Sequence, residues 1–281
     1  MIGPKAIAEA VYAGILRAAW ELRPDVRLAM ETALHAERSP RGRNVIGQML
    51  ENARIAERDG APLCQDTGAV WVWVELGEAE ILGGPLQAAV DDAVAEAYRA
   101  GGLRTSIVRD SLFDRTNTGD NTPASIDVTA RPGSGATVHV ILKGGGSDNA
   151  SAIRMLPPTA GIEGVREHVL EAIRSKAHSA CPPLLVGVGV GGSFDSVAKL
   201  SKQALLRPIG QPAESEAQAD LEAALLSAIN STGIGPGGFG GDTTALAVHV
   251  KTAPSHIASM PVAVNLGCCA IRSVSVDVVG S

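Results

Sequence analysis

The chain has 281 residues, of which 45% are hydrophobic and only 19% are charged. This composition is typical of a globular protein with a large buried core, and it excludes a disordered chain. The formal net charge of −6 argues against a nucleic-acid partner, because binding to the phosphate backbone requires positively charged side chains. We therefore expect basic groups to form local clamps for a small anion.

Cysteine content and apolar patterning indicate the compartment. Four cysteines are too few for a disulfide scaffold. No apolar run approaches the roughly 20 residues that a membrane-spanning helix needs. Residues 1–5 lack the charged and apolar regions of a signal peptide. We therefore expect a cytoplasmic protein whose thiols stay reduced.

The first half of the chain begins with a helical pattern. Apolar residues recur at helical spacing over 4–59, with a break at Pro24-Asp25. Five residues that favour pleated structure predict a strand over 70–74. A helix is predicted directly after Gly83-Gly84-Pro85. Residues 101–124 lack periodicity and predict a loop, whose length for a compact domain suggests a function.

The rest of the chain predicts strands and helices in alternation. Strands over 126–128 and 137–142 are predicted to pair as a hairpin, with Pro132-Gly133 in its turn. Further helices are predicted over 161–177, 192–206 and 214–229, and further strands over 184–190, 244–250, 261–265 and 271–279. No internal repeat or domain boundary is visible. The pattern predicts one mixed α/β (α+β) domain over 1–281, with helices around mixed sheets.

Three of the four cysteines lie in short segments rich in glycine, proline and small polar residues: Cys64, Cys181 and Cys268. Three thiolates on three loops suit a metal or iron–sulfur site, and a four-iron cluster held by three cysteines would leave one iron open to substrate. Their long separations are unlike compact ferredoxin or zinc-finger motifs, so only the fold could bring them together. For each cysteine alone, the alternative is a small buried hydrophobic residue. Cys269, next to Cys268, leaves open which of the two is the ligand.

Three glycine-rich segments could serve a site. Residues 143–149 could cradle an anion with backbone N–H groups, although they lack the ending of a P-loop, and a plain turn is the alternative. Residues 187–192 match the dinucleotide fingerprint G-x-G-x-x-G. No acidic strand end follows about 20 residues later, so close packing of a strand and a helix is the preferred interpretation over NAD binding. Residues 230–241 predict an ordered loop near a site.

Single histidines and arginines give weaker signals. His256 precedes the last predicted strands, and a lone histidine is more often structural than catalytic. His168 lies in a helical stretch and is expected at the surface. Arg104 and Arg272 could clamp a carboxylate, because guanidinium pairs with it through two hydrogen bonds. A surface or structural role is the alternative for either arginine.

A series of short motifs resembles the iron–sulfur-dependent class I fumarases and the L-tartrate dehydratases. The motifs are Pro-Leu-Cys-Gln-Asp-Thr-Gly at 62–68, Leu-Arg-x-Ser at 103–106, Asn-Thr-Gly-x-Asn-x-Pro-Ala at 117–124, Lys-Gly-Gly-Gly-Ser at 143–147, Cys-Pro-Pro at 181–183, His-x-Ala-Ser at 256–259 and Cys-x-Ala-x-Arg at 268–272. Each motif alone is weak, but together they run in family order along nearly the whole chain. The matching part is the N-terminal domain of the one-chain enzymes, which is the separate α subunit of the two-chain enzymes.

The resemblance implies a cofactor and its ligands. It implies a 4Fe–4S cluster carried on glycine-rich loops, held by Cys64, Cys181 and Cys268, with one open iron. The first cysteine of Cys-x-Ala-x-Arg is the family's ligand, so the resemblance selects Cys268 and places Cys269 at a variable position.

The resemblance also implies groups that contact the substrate. Gln65, Arg104 and the backbone of Gly145 and Gly146 are expected to bind it. Asp66 and His256 are expected to be catalytic. Asp66 is the best candidate in this chain for proton transfer.

A partner subunit follows from the same resemblance. The one-chain enzymes carry a second, C-terminal domain that supplies further carboxylate-binding residues and the catalytic base, and this sequence ends at Ser281 without one. We therefore expect a chain that is inactive alone and needs a β subunit, in an α2β2 complex. The expected substrate is fumarate/malate or tartrate, with fumarate ranked slightly ahead and a methylated relative such as mesaconate open. The alternative is a non-catalytic assembly subunit that uses its cysteines for zinc or for structure.

Overall fold

A computed structural model describes residues 2–279. The helices are α1 (Pro4–Trp20), α2 (Pro24–Ala36), α3 (Pro40–Asp59), α4 (Leu86–Ala100), α5 (Gly145–Asn149), α6 (Gly161–Lys176), α7 (Ser196–Ala204) and α8 (Glu216–Asn230). The strands are β1 (Ala69–Gly77), β2 (Ser125–Arg131), β3 (Ala136–Lys143), β4 (Ala152–Leu156), β5 (Leu184–Gly192), β6 (Ala245–Ser255), β7 (Met260–Gly267) and β8 (Arg272–Val278). The chain divides into two units, each with one four-stranded sheet. Unit 1 contains the described residues up to 23, residues 52–145 and the described residues from 272 onward, and unit 2 contains residues 24–51 and 146–271.

Unit 1 is built on a mixed sheet in the order β2-β1-β3-β8. Strand β1 runs parallel to β2 and antiparallel to β3, and β3 runs antiparallel to β8. Helix α1 packs against β3, β8 and α4. The helix comes close to the sheet at Gly14, where an added Cβ would lie 3.0 Å from Val274. The core between them is aliphatic, as the low aromatic content requires.

The predicted hairpin between the second and third strands is wrong. Strand β1 lies between β2 and β3 and pairs with both. Residues Val70 to Val74 are at most 7% exposed, so β1 is an unbroken buried run. Such a run is stabilised in the interior of a sheet, with a neighbour on each side. Strand β2 is mostly exposed or half-buried and takes the edge.

Unit 2 is built on a mixed sheet in the order β4-β7-β5-β6. Strand β5 runs parallel to β6, and β7 runs antiparallel to β5 and β4. Helix α7 packs directly on β5. A Cβ at Gly187 would lie 2.2 Å from the Ser201 carbonyl oxygen, and one at Gly189 would lie 2.6 Å from that of Val197. These glycines therefore serve close packing of a helix on a strand, which confirms the interpretation preferred over a dinucleotide fingerprint.

The mixed α/β class is confirmed, with local corrections at β4, α5 and His168. The sequence missed β4, and the glycine-rich turn at 144–146 leads into the short α5. The surface prediction for His168 is wrong, because this residue is 4% exposed on the buried stripe of α6, beside Val165 and Val169. The extent of one domain over 1–281 stays a prediction, and its residues 1, 280 and 281 lie outside the described part. Among the helices of residues 2–279, none combines the length and apolar character needed to span a membrane.

Candidate functional site

The loop 64–68 of unit 1 directly precedes β1, and buried side chains hold two of its carbonyl groups. Arg272 Nη1 donates to the Asp66 carbonyl oxygen at 2.5 Å. The Tyr98 hydroxyl and the Asn121 amide donate to the Gly68 carbonyl oxygen at 2.6 Å and 3.1 Å. All three donors are at most 3% exposed. These hydrogen bonds to the Asp66 and Gly68 carbonyls hold the segment in place without regular secondary structure.

Two further features fix the same loop. Gly68 has φ of 88°, and a Cβ there would lie 2.6 Å from the Lys143 carbonyl carbon, so a side chain would collide with the end of β3. Burial raises the pKa of Tyr98 to about 12. Tyr98 therefore stays protonated at neutral pH and keeps its donor role.

Four of the predicted site residues meet in unit 1. Asp66 Oδ2 accepts a hydrogen bond from the Gly145 N–H at 2.8 Å, and Oδ1 lies 3.4 Å from Arg104 Nη2. Arg104 Nη1 donates to Gln65 Oε1 at 2.8 Å. The Asp66 side chain is 25% exposed and that of Arg104 is 55% exposed. A carboxylate, an amide and a guanidinium thus form one partly open polar cluster.

The long loop 101–124 carries Arg104 and is ordered by side-chain hydrogen bonds. The Thr67 hydroxyl donates to the Arg104 carbonyl oxygen at 2.5 Å. Asn121 Oδ1 accepts from the Ser106 N–H at 2.8 Å, and Asn117 Nδ2 donates to the Thr105 carbonyl oxygen at 3.1 Å. The loop therefore presents Arg104 from a defined backbone position.

Two of the three predicted cysteine ligands lie on neighbouring segments of unit 2. The Cys269 N–H donates to the Cys181 carbonyl oxygen at 3.0 Å, which places the segment of Cys268 beside that of Cys181. Cys181 has φ of 54° and precedes two prolines joined by a cis peptide bond. The Gly237 N–H donates to the Pro182 carbonyl oxygen at 2.7 Å, so the glycine-rich loop over 230–241 contacts the segment of Cys181. Cys64, the third predicted ligand, belongs to unit 1.

The state of the thiols fits a thiolate-held group. Across residues 2–279 no cysteine forms a disulfide; Cys181 is exposed and the other three are half-buried. Sulfur from cysteine is the usual ligand of iron–sulfur clusters, so the chemistry of the donors matches the expected cofactor. Within neither unit, over the described residues, do three or more His, Cys, Asp or Glu side chains gather closely enough to hold a metal ion.

The remaining predicted site residues occupy different places. Gly145 uses its N–H on Asp66. At Gly146 a Cβ would lie 2.8 Å from the Ser179 carbonyl oxygen, so this glycine is needed for close packing in unit 2. Substrate binding by the two glycines stays a prediction.

His256 lies in the turn between β6 and β7 of unit 2 and is exposed. Its Nδ1 accepts a hydrogen bond from the Ala258 N–H at 3.1 Å. In the neutral ring the proton is therefore on Nε2, which makes that nitrogen the donor. An exposed donor of this kind suits a carboxylate ligand, and the catalytic role of His256 stays a prediction.

Sequence reasoning missed the polar residues that support the site loops. Tyr98 lies on an apolar helical stripe, which predicts only a helix. Asn121 lies in the family motif at 117–124, but no role was assigned to it. Glu37 at the end of α2 gave no signal, yet it is 1% exposed and accepts hydrogen bonds from the N–H groups of Ser39, Asp242 and Thr243. Burial opposes its ionisation, but these N–H groups outweigh burial and hold the pKa of the Glu37 carboxyl below its usual value.

Comparison with known proteins gives a consistent assignment. The family model described as fumarate hydratase (Fumerase) matches residues 8–277. A protein of Methanocaldococcus jannaschii named "Putative L(+)-tartrate dehydratase subunit alpha" is 38% identical over 274 residues, covering 95% of each chain. The L(+)-tartrate dehydratase subunit alpha of Escherichia coli strain K12 is 37% identical over 242 residues, covering 84% of this chain and 79% of its own. A match over this length shows that the chain belongs to the fumarate hydratase (Fumerase) family.

Proposed function

We propose that this chain is the α subunit of a hydro-lyase that reversibly removes water from a 2-hydroxy dicarboxylate. The observation that carries this proposal is the family match over residues 8–277. L(+)-tartrate is the first substrate to test, because relatives 37–38% identical carry that name. Malate and fumarate come second because of the family description, which reverses the ranking made from the sequence.

The proposed cofactor is a 4Fe–4S cluster held by Cys64, Cys181 and Cys268. Half-buried or exposed thiols outside disulfides support this, as does the contact between the segments of Cys181 and Cys269. When bound, a cluster with one open iron supplies a Lewis acid that makes hydroxide a better leaving group.

The residues of unit 1 suit the binding and protonation of a dicarboxylate. Arg104 provides a half-exposed guanidinium that can pair with one carboxylate, while Gln65 orients it. Asp66 Oδ2 accepts the 2.8 Å hydrogen bond from the Gly145 N–H, whereas Oδ1 has only the longer 3.4 Å contact with Arg104, so we assign the transferred proton to Oδ1. We assign Asp66 the delivery of that proton to the departing hydroxyl, which leaves as water.

The second proton movement is assigned to a partner. A base must take the proton from the carbon next to the C–OH carbon, and the electron pair of that C–H bond then forms the double bond as the C–O bond breaks. The names of the relatives contain "subunit alpha". We propose a β subunit that supplies this base, an α2β2 complex, and a chain that is inactive alone. His256 Nε2–H is proposed to hold a substrate carboxylate.

Co-expression with the β subunit under anaerobic conditions tests the proposal. We expect about four irons per αβ unit and dehydration of L(+)-tartrate or of malate. Replacing Cys64, Cys181 or Cys268 by serine should abolish iron binding and activity. Cys269→Ser is the matched control and should keep both. Zinc in place of iron, or iron lost equally in the Cys269 variant, would contradict the assignment and favour an assembly subunit.

A further inference from the structure

Arg272 is a buried arginine at the start of β8. The proposed function gives it no role in binding the substrate. Its side chain is 3% exposed, and its Nη1 donates to the Asp66 carbonyl oxygen at 2.5 Å. We propose that Arg272 is a positioning residue, which holds the peptide group of Asp66 so that its carboxylate is placed for proton transfer. This inference rests on the proposed function, since it extends the role of Asp66.

The geometry around Gly144 shows how the two side chains approach each other. A Cβ added at Gly144 would lie 3.0 Å from Asp66 Oδ2 and 3.1 Å from Arg272 Nη2. Glycine therefore leaves room for the carboxylate and the guanidinium on the same side of one Cα. Any larger residue would push one of them away.

Asp66 is consequently held at two points. Arg272 holds its carbonyl oxygen, and the Gly145 N–H holds its carboxylate at 2.8 Å. Fixing both ends removes most of the freedom of the side chain between them. A catalytic group misplaced by about 1 Å can lose on the order of 100-fold in rate, so this restraint has a direct consequence for turnover.

The hydrogen bond to Asp66 is needed to offset the burial of the Arg272 side chain. Burying a guanidinium is unfavourable unless hydrogen bonds compensate it. Here the Arg272 Nε is itself buried without a hydrogen-bond partner in the described chain. An aliphatic residue of similar size would lose the hydrogen bond to Asp66 that the planar guanidinium provides.

The first test measures the contact and needs neither cluster nor activity. Amide hydrogen exchange at Gly145 reports whether the Asp66 carboxylate is in place, because that N–H donates to it. In the full chain, Arg272→Met should raise the Gly145 exchange rate about 10-fold or more, and Arg272→Lys should raise it less. Arg23→Met is the matched control, since Arg23 donates to Ser273 on the same strand.

Two outcomes decide this test. An unchanged Gly145 exchange rate in folded Arg272→Met overturns the proposal, and so does an equal increase in Arg23→Met. If Arg272→Met does not fold, Arg272→Gln replaces it, and the same criterion applies to that variant and to Arg272→Lys.

The second test uses the holo-complex and a double-mutant cycle. Arg272→Lys should lower kcat about 10-fold with KM within about 3-fold, and it should add little to the loss caused by Asp66→Asn. Losses that multiply would mean that Arg272 does not act through Asp66, which overturns the proposal. A wild-type complex without any dehydratase activity would refute the proposed function, while the exchange at Gly145 still decides the positioning contact.

Discussion

Two loops, one in each unit, are held by hydrogen bonds of opposite direction. In unit 1 the loop 64–68 offers carbonyl oxygens, which accept from the buried donors Tyr98, Asn121 and Arg272. In unit 2 the loop 231–244 offers N–H groups, which donate to the buried acceptor Glu37. Both loops are bound by buried side chains, but the charges of those side chains differ.

The charges of these buried side chains give the two loops different surroundings. A buried guanidinium beside Asp66 gives the first loop a positive environment, which favours an anionic ligand. The buried carboxylate of Glu37 gives the second loop a negative environment, which disfavours an anionic ligand. Loop 231–244 contacts the segment of Cys181 through the hydrogen bond from Gly237 to Pro182, while loop 64–68 carries the residues for which we propose dicarboxylate binding.

Distortion of the first loop should have the largest effect on stability. Gly68→Ala combines φ of 88° with a Cβ 2.6 Å from backbone of Lys143. We expect the free energy of unfolding to fall by about 4 kcal/mol, from left-handed strain and steric overlap. Gly119→Ala is the matched control, with φ of 87° and nothing within 4 Å, and should lose about 1 kcal/mol. Equal losses in urea unfolding would show that the contact with Lys143 is unimportant.

Removing the acceptor in unit 2 should have the next largest effect. Glu37→Ala leaves the N–H groups of Ser39, Asp242 and Thr243 without their partner, and we expect a loss of about 3 kcal/mol in unfolding free energy. Glu37→Gln keeps one oxygen and should lose less. Because the folded pKa of Glu37 is lowered, its contribution is present above the unfolded pKa and is lost as pH falls. A variant whose acid unfolding matches the wild type would contradict this.

Removing one buried donor in unit 1 should have a smaller effect on stability. Tyr98→Phe removes one of two hydrogen bonds to the Gly68 carbonyl oxygen, and we expect a loss of about 1 kcal/mol in unfolding free energy. Burial raises the folded pKa of Tyr98 to about 12 from 10.0. Its contribution is therefore full below pH 10 and is lost as pH rises toward 12. Unfolding followed over this range should show that loss in the wild type and not in Tyr98→Phe.

The smallest expected effect concerns the exposed pair at the edge of the second loop. Arg38 donates to both oxygens of Asp242, at 2.8 Å and 2.7 Å. These hydrogen bonds lower the pKa of Asp242 to about 2 from 3.8. Asp242→Asn should lower stability slightly at neutral pH, and the difference from the wild type should vanish as pH falls toward 2. A difference that persists at that pH would mean that charge is not its origin.

Much of the local structure could be predicted from the sequence. Helix α4 begins directly after Pro85 as expected, and β1 contains the predicted run 70–74. The hairpin prediction was wrong because consecutive strands do not always pair; the packing of the whole sheet decides which strands are neighbours. Strand β4 was missed because arginine interrupts its apolar pattern, and its inner residues are exposed.

The sequence also predicted part of the candidate site. The motifs identified Gln65, Asp66, Arg104 and Gly145, which the structure brings together within unit 1. Tyr98 could not be found, because a tyrosine on an apolar helical stripe has the same pattern whether or not its hydroxyl holds a loop. The bond from Arg272 to Asp66 joins residues 206 positions apart, which no spacing rule reaches.

From the sequence alone we could predict the periods of helices and strands and the close packing at the glycines of 187–192. The sequence also contains the residue types on which the proposed thiolate and dicarboxylate chemistry rests. These depend on interactions within a few residues or on side-chain chemistry alone. Tertiary packing places β1 between β2 and β3. It also brings buried donors of α4, β8 and the loop at Asn121 to carbonyls of loop 64–68. Such contacts arise from packing of distant segments, where many pairings satisfy the same local pattern and burial of the whole core selects one.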